Sequence, residues 1–399
     1  MRHTTGVLAA LSTAALLVIT GCGSSEPESP AAAPVIDVST LDVGGYSTQP
    51  REIQKTVFDR ARFTEGQRLS SVIPLPMEID PRFTIQSDPM SSYQVFAFLA
   101  VGNGMGGSTK DIDSEGTGFI AGFRSSAHTD PDIGIATTMT NSVMLFQDEK
   151  SATEAAKTFA DARLSQKTDG QRVSIDKYPA AIAQWTPGKP DLEAFIASGR
   201  YVIYSYVKDF AKDKLKTTDL PAMQNLIAKS IETIQPRLSA FQPTPYDQLG
   251  DIALDHDGML GRTLQKPQEE KKLDAAGLYD ATGALHLSTD PAHDKELFTE
   301  AGVDWVAKYA GLVYRAKDSE SAQRIFADRS VIPRIYRRAD SPQNLPGSAC
   351  REYRGDSSLT SRFHCVVTYD RYAAEVWSGQ LVDAQQRISA QYAMLANAR

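Results

Sequence analysis

LEAFIASGRYVIYSYV, residues 192–207, reads as two apolar runs folded about Ser198-Gly199-Arg200, and its reading decides the fold. Leu192 to Ala197 and Tyr201 to Val207 are rich in aromatic and β-branched residues, as strands are, and Gly199 suits a tight turn. FHCVVTYDRYAAEVW, residues 363–377, repeats the design. Phe363 to Tyr369 and Tyr372 to Trp377 flank Asp370-Arg371, and both hairpins carry an Arg-Tyr pair at the turn exit, at 200–201 and 371–372.

Working outward, the order of elements is duplicated. Asn141 to Phe146 and Tyr309 to Tyr314 each read as a strand. Asp148 or Ser151 in one half, and Asp318 or Ser319 in the other, can cap the helix that follows. Ala152, Ala155, Ala156 and Phe159 fall at helical spacing, as do Ala322, Ile325 and Phe326, and both helices contain Phe-Ala-Asp, at 159–161 and 326–328. Ala181 to Trp185 and Ala349 to Tyr353 supply a further strand before each hairpin. A closing helix carries Met223, Leu226, Ile227, Ile231 and Ile234, opened by Asp219 and Pro221 and ended by Pro236. Its counterpart starts near Asp383 and carries Ala384, Ile388, Tyr392 and Leu395.

Strand–helix–strand–strand–strand–helix, twice, predicts an α+β chain of two related domains, each a mainly antiparallel sheet with helices packed on one face. The two prolines of FQPTPY, 241–246, place the boundary, giving domains at 35–243 and 244–399. Stretches of about 35–135 and 246–305 lead into the two repeats without clear periodicity.

The N-terminus reads as a separate device. Val7 to Ile19 (VLAALSTAALLVI) follows Arg2 and is long enough for the apolar part of a secretory signal but too short to span a bilayer. Ile19-Thr20-Gly21-Cys22 resembles the bacterial lipobox, which implies a signal peptide at 1–21 and a lipidated Cys22, bearing diacylglyceryl and palmitate-type chains. Gly23 to Pro34 (GSSEPESPAAAP) offers nothing to bury, so residues 22–34 are expected to be a disordered tether reaching at most roughly 40 Å. The expected location is the extracytoplasmic face of the cell membrane, held by the lipid anchor.

In that oxidising compartment Cys350 and Cys365, the other two of three cysteines, are expected to pair. A net charge of −7 supplies no basic stripe, so nucleic acid is excluded as a partner.

LDVGGYSTQPR (41–51), EGQR (65–68), EIDP (78–81), GFIAGF (118–123), GALH (283–286) and FTEAGVD (298–304), with the two cysteines, are similar to a family of uncharacterised two-domain actinobacterial lipoproteins. The resemblance runs in order along nearly the whole mature chain. It implies a two-part architecture and a lipid anchor, and brings no catalytic residues.

The remaining motifs dissolve on inspection. Gly102-x-Gly104-x-x-Gly107 has the form of a dinucleotide loop, but no helical period follows it, so it reads as a surface loop. Asp255-His256-Asp257-Gly258 lacks the acid that an EF-hand needs at position twelve, where Lys266 stands, and reads as an acidic turn between strands. Ser174-x-x-Lys177 and Ser205-x-x-Lys208 sit in strand-like runs where the lysine cannot reach the serine. No histidine pair has metal-ligand spacing; His286 and His364 read as structural. Catalytic residues, metal and cofactors are therefore expected to be none.

What stands out is aromatic. Trp185, Tyr204, Tyr206, Tyr372 and Trp377 crowd the hairpins, and the run Tyr201 to Val207 is apolar on both faces. One face can pack a helix while the other lines a ligand groove. The expected function is a non-enzymatic binding module taking an envelope lipid, a glycan or a protein partner through a sheet face or the cleft between halves. The alternative is an envelope-acting hydrolase whose site assembles in space.

Overall fold

The computed structural model describes residues 36–53, 58–87, 94–96, 118–265, 276–355 and 361–398. The leader, Cys22, the tether, the Gly102–Gly107 loop and Lys266 lie outside the described residues. Val38–Arg399 forms one compact unit.

In chain order the elements are α1 (Phe58–Leu69), α2 (Pro76–Ile79), β1 (Ile85–Gln86), β2 (Val95–Phe96), β3 (Phe119–His128), β4 (Thr137–Phe146), α3 (Glu149–Ser165), β5 (Gln171–Val173), β6 (Ile182–Trp185), β7 (Asp191–Ser198), β8 (Tyr201–Asp209), α4 (Phe210–Lys214) and α5 (Leu220–Leu238). The second half continues with β9 (Gly277–Asp280), α6 (Ala281–Ala284), α7 (Pro291–Ala301), β10 (Trp305–Lys308), β11 (Gly311–Arg315), α8 (Ser319–Arg329), β12 (Tyr336–Ala339), β13 (Ser348–Tyr353), β14 (Phe363–Tyr369), β15 (Tyr372–Ser378) and α9 (Leu381–Asn397).

The two sheets show the duplication strand for strand. The first runs β1-β3-β4-β8-β7-β6-β5, with β2 also on β3, and the second runs β9-β10-β11-β15-β14-β13-β12. All pairings are antiparallel. The fold is therefore α+β with two related units, as the sequence predicts. Each unit holds more strands than the periodicity reveals, because β5 and β12 are short edge strands.

Local chemistry explains the helices. Asp148 and Asp318 cap α3 and α8 by accepting the backbone N–H of Ser151 and Ser321. Asp219 caps α5 with Pro221 in its first turn. Pro236 does not end that helix: it sits in the last turn, where the missing N–H costs one bond, and the helix runs on to Leu238.

Helices cover both faces of each sheet rather than one. Tyr201, Ile203 and Val207 of β8 pack with Met223, Leu226 and Ile227 of α5. The alternate residues Val202 and Tyr204 pack with Ala152, Ala155 and Phe159 of α3. A strand apolar on both faces is a strand buried on both faces. In the second sheet Tyr314 and Ala373 meet Ala322 and Ile325 of α8, whereas Tyr369, on the other face, meets the Tyr392 ring of α9 at 5.5 Å.

The two units share one core. Leu69, Ile73, Phe123 and Ile227 belong to the same apolar cluster as Tyr279, Leu285, Phe298, Val306 and Ile325. The segment before α1 crosses over as well. Tyr46 donates its hydroxyl to Asp383 (2.6 Å) and accepts from Arg387 (3.0 Å), and Gln386 reaches Asp42. Arg51 binds the carbonyls of Gly261 and Thr263. Residues 40–51 thus strap the C-terminal unit, although they precede the N-terminal one in sequence.

Candidate functional site

A cleft of about 380 Å3 opens on the seam between the units. Its walls come from residues some 200 positions apart: Ile73, Leu75 and Glu78 on one side, and Thr282, Leu285, His286, Lys295, Phe298, Thr299 and Val303 on the other. The turn after α1 ends in Pro76 and Glu78, where Glu78 accepts the N–H of Leu75 at 2.9 Å and so fixes the lip. On the opposite side α7 is capped by Asp290 and closed by Gly302 at φ +57°, a left-handed position that glycine takes without strain.

The cleft has an apolar floor and one charged end. Ile73, Leu75, Leu285, Phe298 and Val303 are all buried. At the rim Glu78 meets Arg237 at 3.2 Å and Lys295 at 3.9 Å. Burial would raise the Glu78 carboxyl, but the Arg237 hydrogen bond, the Leu75 N–H and the charges of Arg237 and Lys295 outweigh it and hold it ionised.

His286 is the hinge pin of the seam. It stands in a 3-10 turn, Leu285–Leu287, not in the strand its neighbours suggest. Nε2 lies 3.1 Å from the carbonyl of Ile73, which can only accept, so Nε2 carries the proton. Nδ1 then accepts the Ser125 hydroxyl at 3.0 Å. Gln94 donates to the His286 carbonyl, and the Phe123 ring meets the imidazole edge at 4.9 Å. Burial pushes the imidazole down to about 4. At neutral pH the ring is uncharged and both its nitrogens are occupied, so it shapes the cleft wall and joins the units.

A second hollow of about 290 Å3 lies along the same seam, between Gln67 to Val72, Phe241 and the Leu278–Asp280 strand.

Buried charge is duplicated too. In the first unit Glu193, fully buried in β7, receives the Tyr204 hydroxyl (3.2 Å), Arg163 from the last turn of α3 (3.0 Å) and Lys167 (3.1 Å). In the second, Glu375 of β15 receives the Tyr314 hydroxyl (2.6 Å), His364 (2.6 Å) and Arg329 from the end of α8 (3.3 Å). Burial opposes ionisation of Glu375, yet His364 and Arg329 pull its pKa down to about 2. Arg329 also binds Asp294 and Asp328 at 2.7 and 2.6 Å. His293, Asp294 and Asp328 could together offer ligand atoms to a metal, but the Arg329 guanidinium already pairs with both carboxylates. These trios were missed in sequence; the signal was an acid in the middle of an apolar strand, at DLEAF and AAEVW.

Cys350 and Cys365 face each other across β13 and β14 and are bonded, as predicted. The five groove residues do not come together. Tyr204 is fully buried under α3, with Tyr206 beside it. Trp185 lies on the opposite face, where its indole donates to the Lys189 carbonyl. Tyr372 and Trp377, five residues apart on β15, point to opposite faces of the second sheet, and the Trp377 ring lies tilted against His364 at 5.2 Å. Tyr204 alone of the five is fully buried; Trp185, Tyr206, Tyr372 and Trp377 are half-buried and divided between opposite sheet faces, so they form no common groove.

Asp255 accepts the N–H groups of Leu260 and Gly261, and Asp257 pairs with Arg315, which makes 255–258 a structural turn following a 3-10 helix rather than one between strands. Ser205 bonds Asn141 on the face opposite Lys208.

The N-terminal part of the domain of unknown function DUF7373 matches residues 54–254, and its C-terminal part matches 259–398. No curated protein matches the chain. Among solved structures, the extracellular domain of PknH from Mycobacterium tuberculosis aligns at 15% identity, covering 48% of this chain and 100% of that one. Its TM-score of 0.29 is too low to carry an argument. The two matches together span most of the chain and split where one sheet ends and the next begins, so the chain belongs to the DUF7373 family.

Proposed function

We propose that this chain is a cell-envelope lipoprotein, held on the outer face of an actinobacterial membrane through Cys22, that binds an amphiphilic ligand in the seam cleft. The observation that carries the reading is the cleft itself. Its floor buries apolar surface and its one charged end, Glu78 with Lys295 and Arg237, suits a polar head. The disulfide supports an oxidising compartment. No helix among the described residues is long and apolar enough to cross a membrane.

A fluorescent fatty acid tests the site. Saturable binding to the mature chain is expected, lost in Thr299→Trp, which fills the cleft from an exposed position on α7. Binding unchanged by that substitution would refute the placement. Mass spectrometry of the N-terminal peptide tests the anchor: acyl chains on Cys22 are expected, and a free thiol at that residue contradicts it.

A further inference from the structure

Among the described residues, eight large apolar side chains stand exposed, and three of them, Val331, Ile332 and Ile335, lie in the five residues before β12. Single exposed apolar residues need no explanation; three together do. The same stretch is strongly basic. Arg334, Arg337 and Arg338 fall within or beside it, with Arg351 and Arg354 on the neighbouring strand and its end. This stands out on a chain whose net charge is −7.

Partners sort these cations. Glu352 pairs with both Arg337 and Arg362. Arg334, Arg338 and Arg354 meet no carboxylate among the described residues, and Arg351 forms no ion pair there, though the charges of Glu375 and Asp328 reach it. Arg338 and Arg351 are direct cross-strand partners, two like charges on one face of the sheet, an arrangement that costs stability. Arg351 donates to the Val331 carbonyl and lies 4.8 Å over the Tyr336 ring, tying the apolar loop to the basic strand, while its Nε is buried with no acceptor.

Charged edge strands can simply block strand pairing, and β12 is the edge of its sheet. That accounts for Arg338 but not for an apolar loop left in water beside it. A surface on which arginines meet phosphates and aliphatic side chains enter the acyl boundary accounts for both. The chain's route agrees. Thr40, at the start of the strap, accepts a hydrogen bond from Asn344, in the loop that leaves β12. The folded unit therefore begins next to this edge, and the residues from Cys22 to Val38 reach at most about 50 Å.

We propose that the β12 edge and its preceding loop, Val331 to Arg338 with Arg351 and Arg354, form a membrane-contact surface for anionic phospholipid.

The test uses the mature chain from residue 22 carrying Cys22→Ser, so that no acyl chain contributes and failure of the anchor reading stays separate. Partition is measured onto phosphatidylcholine vesicles with and without phosphatidylglycerol. Binding is expected to the anionic vesicles, weakening as salt rises. Arg334→Gln with Arg338→Gln should lower the partition coefficient roughly thirtyfold, at about fivefold per arginine near a charged surface. Val331→Ser with Ile335→Ser should lower it by roughly tenfold or more. Leu215→Ser is the control: it is at least as exposed and is flanked in sequence by Lys214 and Lys216, but it lies outside the proposed surface, so the partition coefficient should stay unchanged. All the substituted residues are exposed, so the variants should unfold at or above the wild-type temperature, Arg338→Gln relieving its repulsion with Arg351. No partition onto anionic vesicles, or partition insensitive to both double variants, overturns the proposal. So does a wild-type chain that ignores vesicles while the same variants abolish capture of a protein partner.

Discussion

Acid should loosen the seam through His286, and the size of the effect follows from its surroundings. Folded, the imidazole is held neutral by burial, which outweighs the Ile73 carbonyl's pull toward the charged form and leaves its pKa at about 4, while Ser125 and Ile73 occupy its two nitrogens; unfolded, it returns to 6.5. Glu78 favours the charged form and Arg237 opposes it, but burial dominates both. Between these values the unfolded chain binds the proton and the folded chain does not. The stabilisation is therefore complete above pH 6.5 and drains away as pH falls toward 4. From pH 7 to pH 5 that amounts to about 2 kcal/mol, at about 1.4 kcal/mol per pKa unit. Equilibrium urea denaturation of wild type and His286→Gln at both pH values isolates the residue, because glutamine keeps a donor for Ile73 and does not titrate. Wild type should lose about 2 kcal/mol more than the variant on acidification. Equal losses would refute the reasoning, and with it the neutral, doubly bonded state of the ring.

Other consequences are local. Arg329→Met leaves Glu375, Asp294 and Asp328 without their shared cation and should cost about 3–5 kcal/mol in denaturation; a loss within error of zero would deny the network its role. Replacing Cys350 and Cys365 with alanine opens a crosslink spanning 15 residues and should lower stability by about 3 kcal/mol, read from the urea midpoint. Tyr46→Phe removes the hydroxyl shared by Asp383 and Arg387, worth about 1 kcal/mol. Amide exchange in the first turn of α9 should quicken while that of α5 stays unchanged, and uniform exchange would mean the strap does not clamp the second unit.

Much of this architecture was legible in the chain. The hairpins at 192–207 and 363–377, the aspartate-capped helices and the two cysteines all announce themselves through local chemistry, and the duplicated sheet order rests on them. Short polar strands did not. Gln171–Val173 and Tyr336–Ala339 lie at sheet edges, where one face and one row of backbone groups meet water, so no apolar alternation marks them. The strand 201–207 carried the clue to its own burial in being apolar on both faces, but a groove and a second helix demand the same residues there. The cleft was beyond reach for a different reason. Ile73 and Phe298 meet only because two sheets close on one core, and nothing local to either residue records that meeting.

Native mass spectrometry of the mature chain, extracted from its own envelope in a mild detergent, tests the central claim most directly. The account predicts a bound amphiphile of discrete mass that is retained by wild type and missing from Thr299→Trp. An adduct-free spectrum for both proteins, or an adduct that survives the filled cleft, would contradict it.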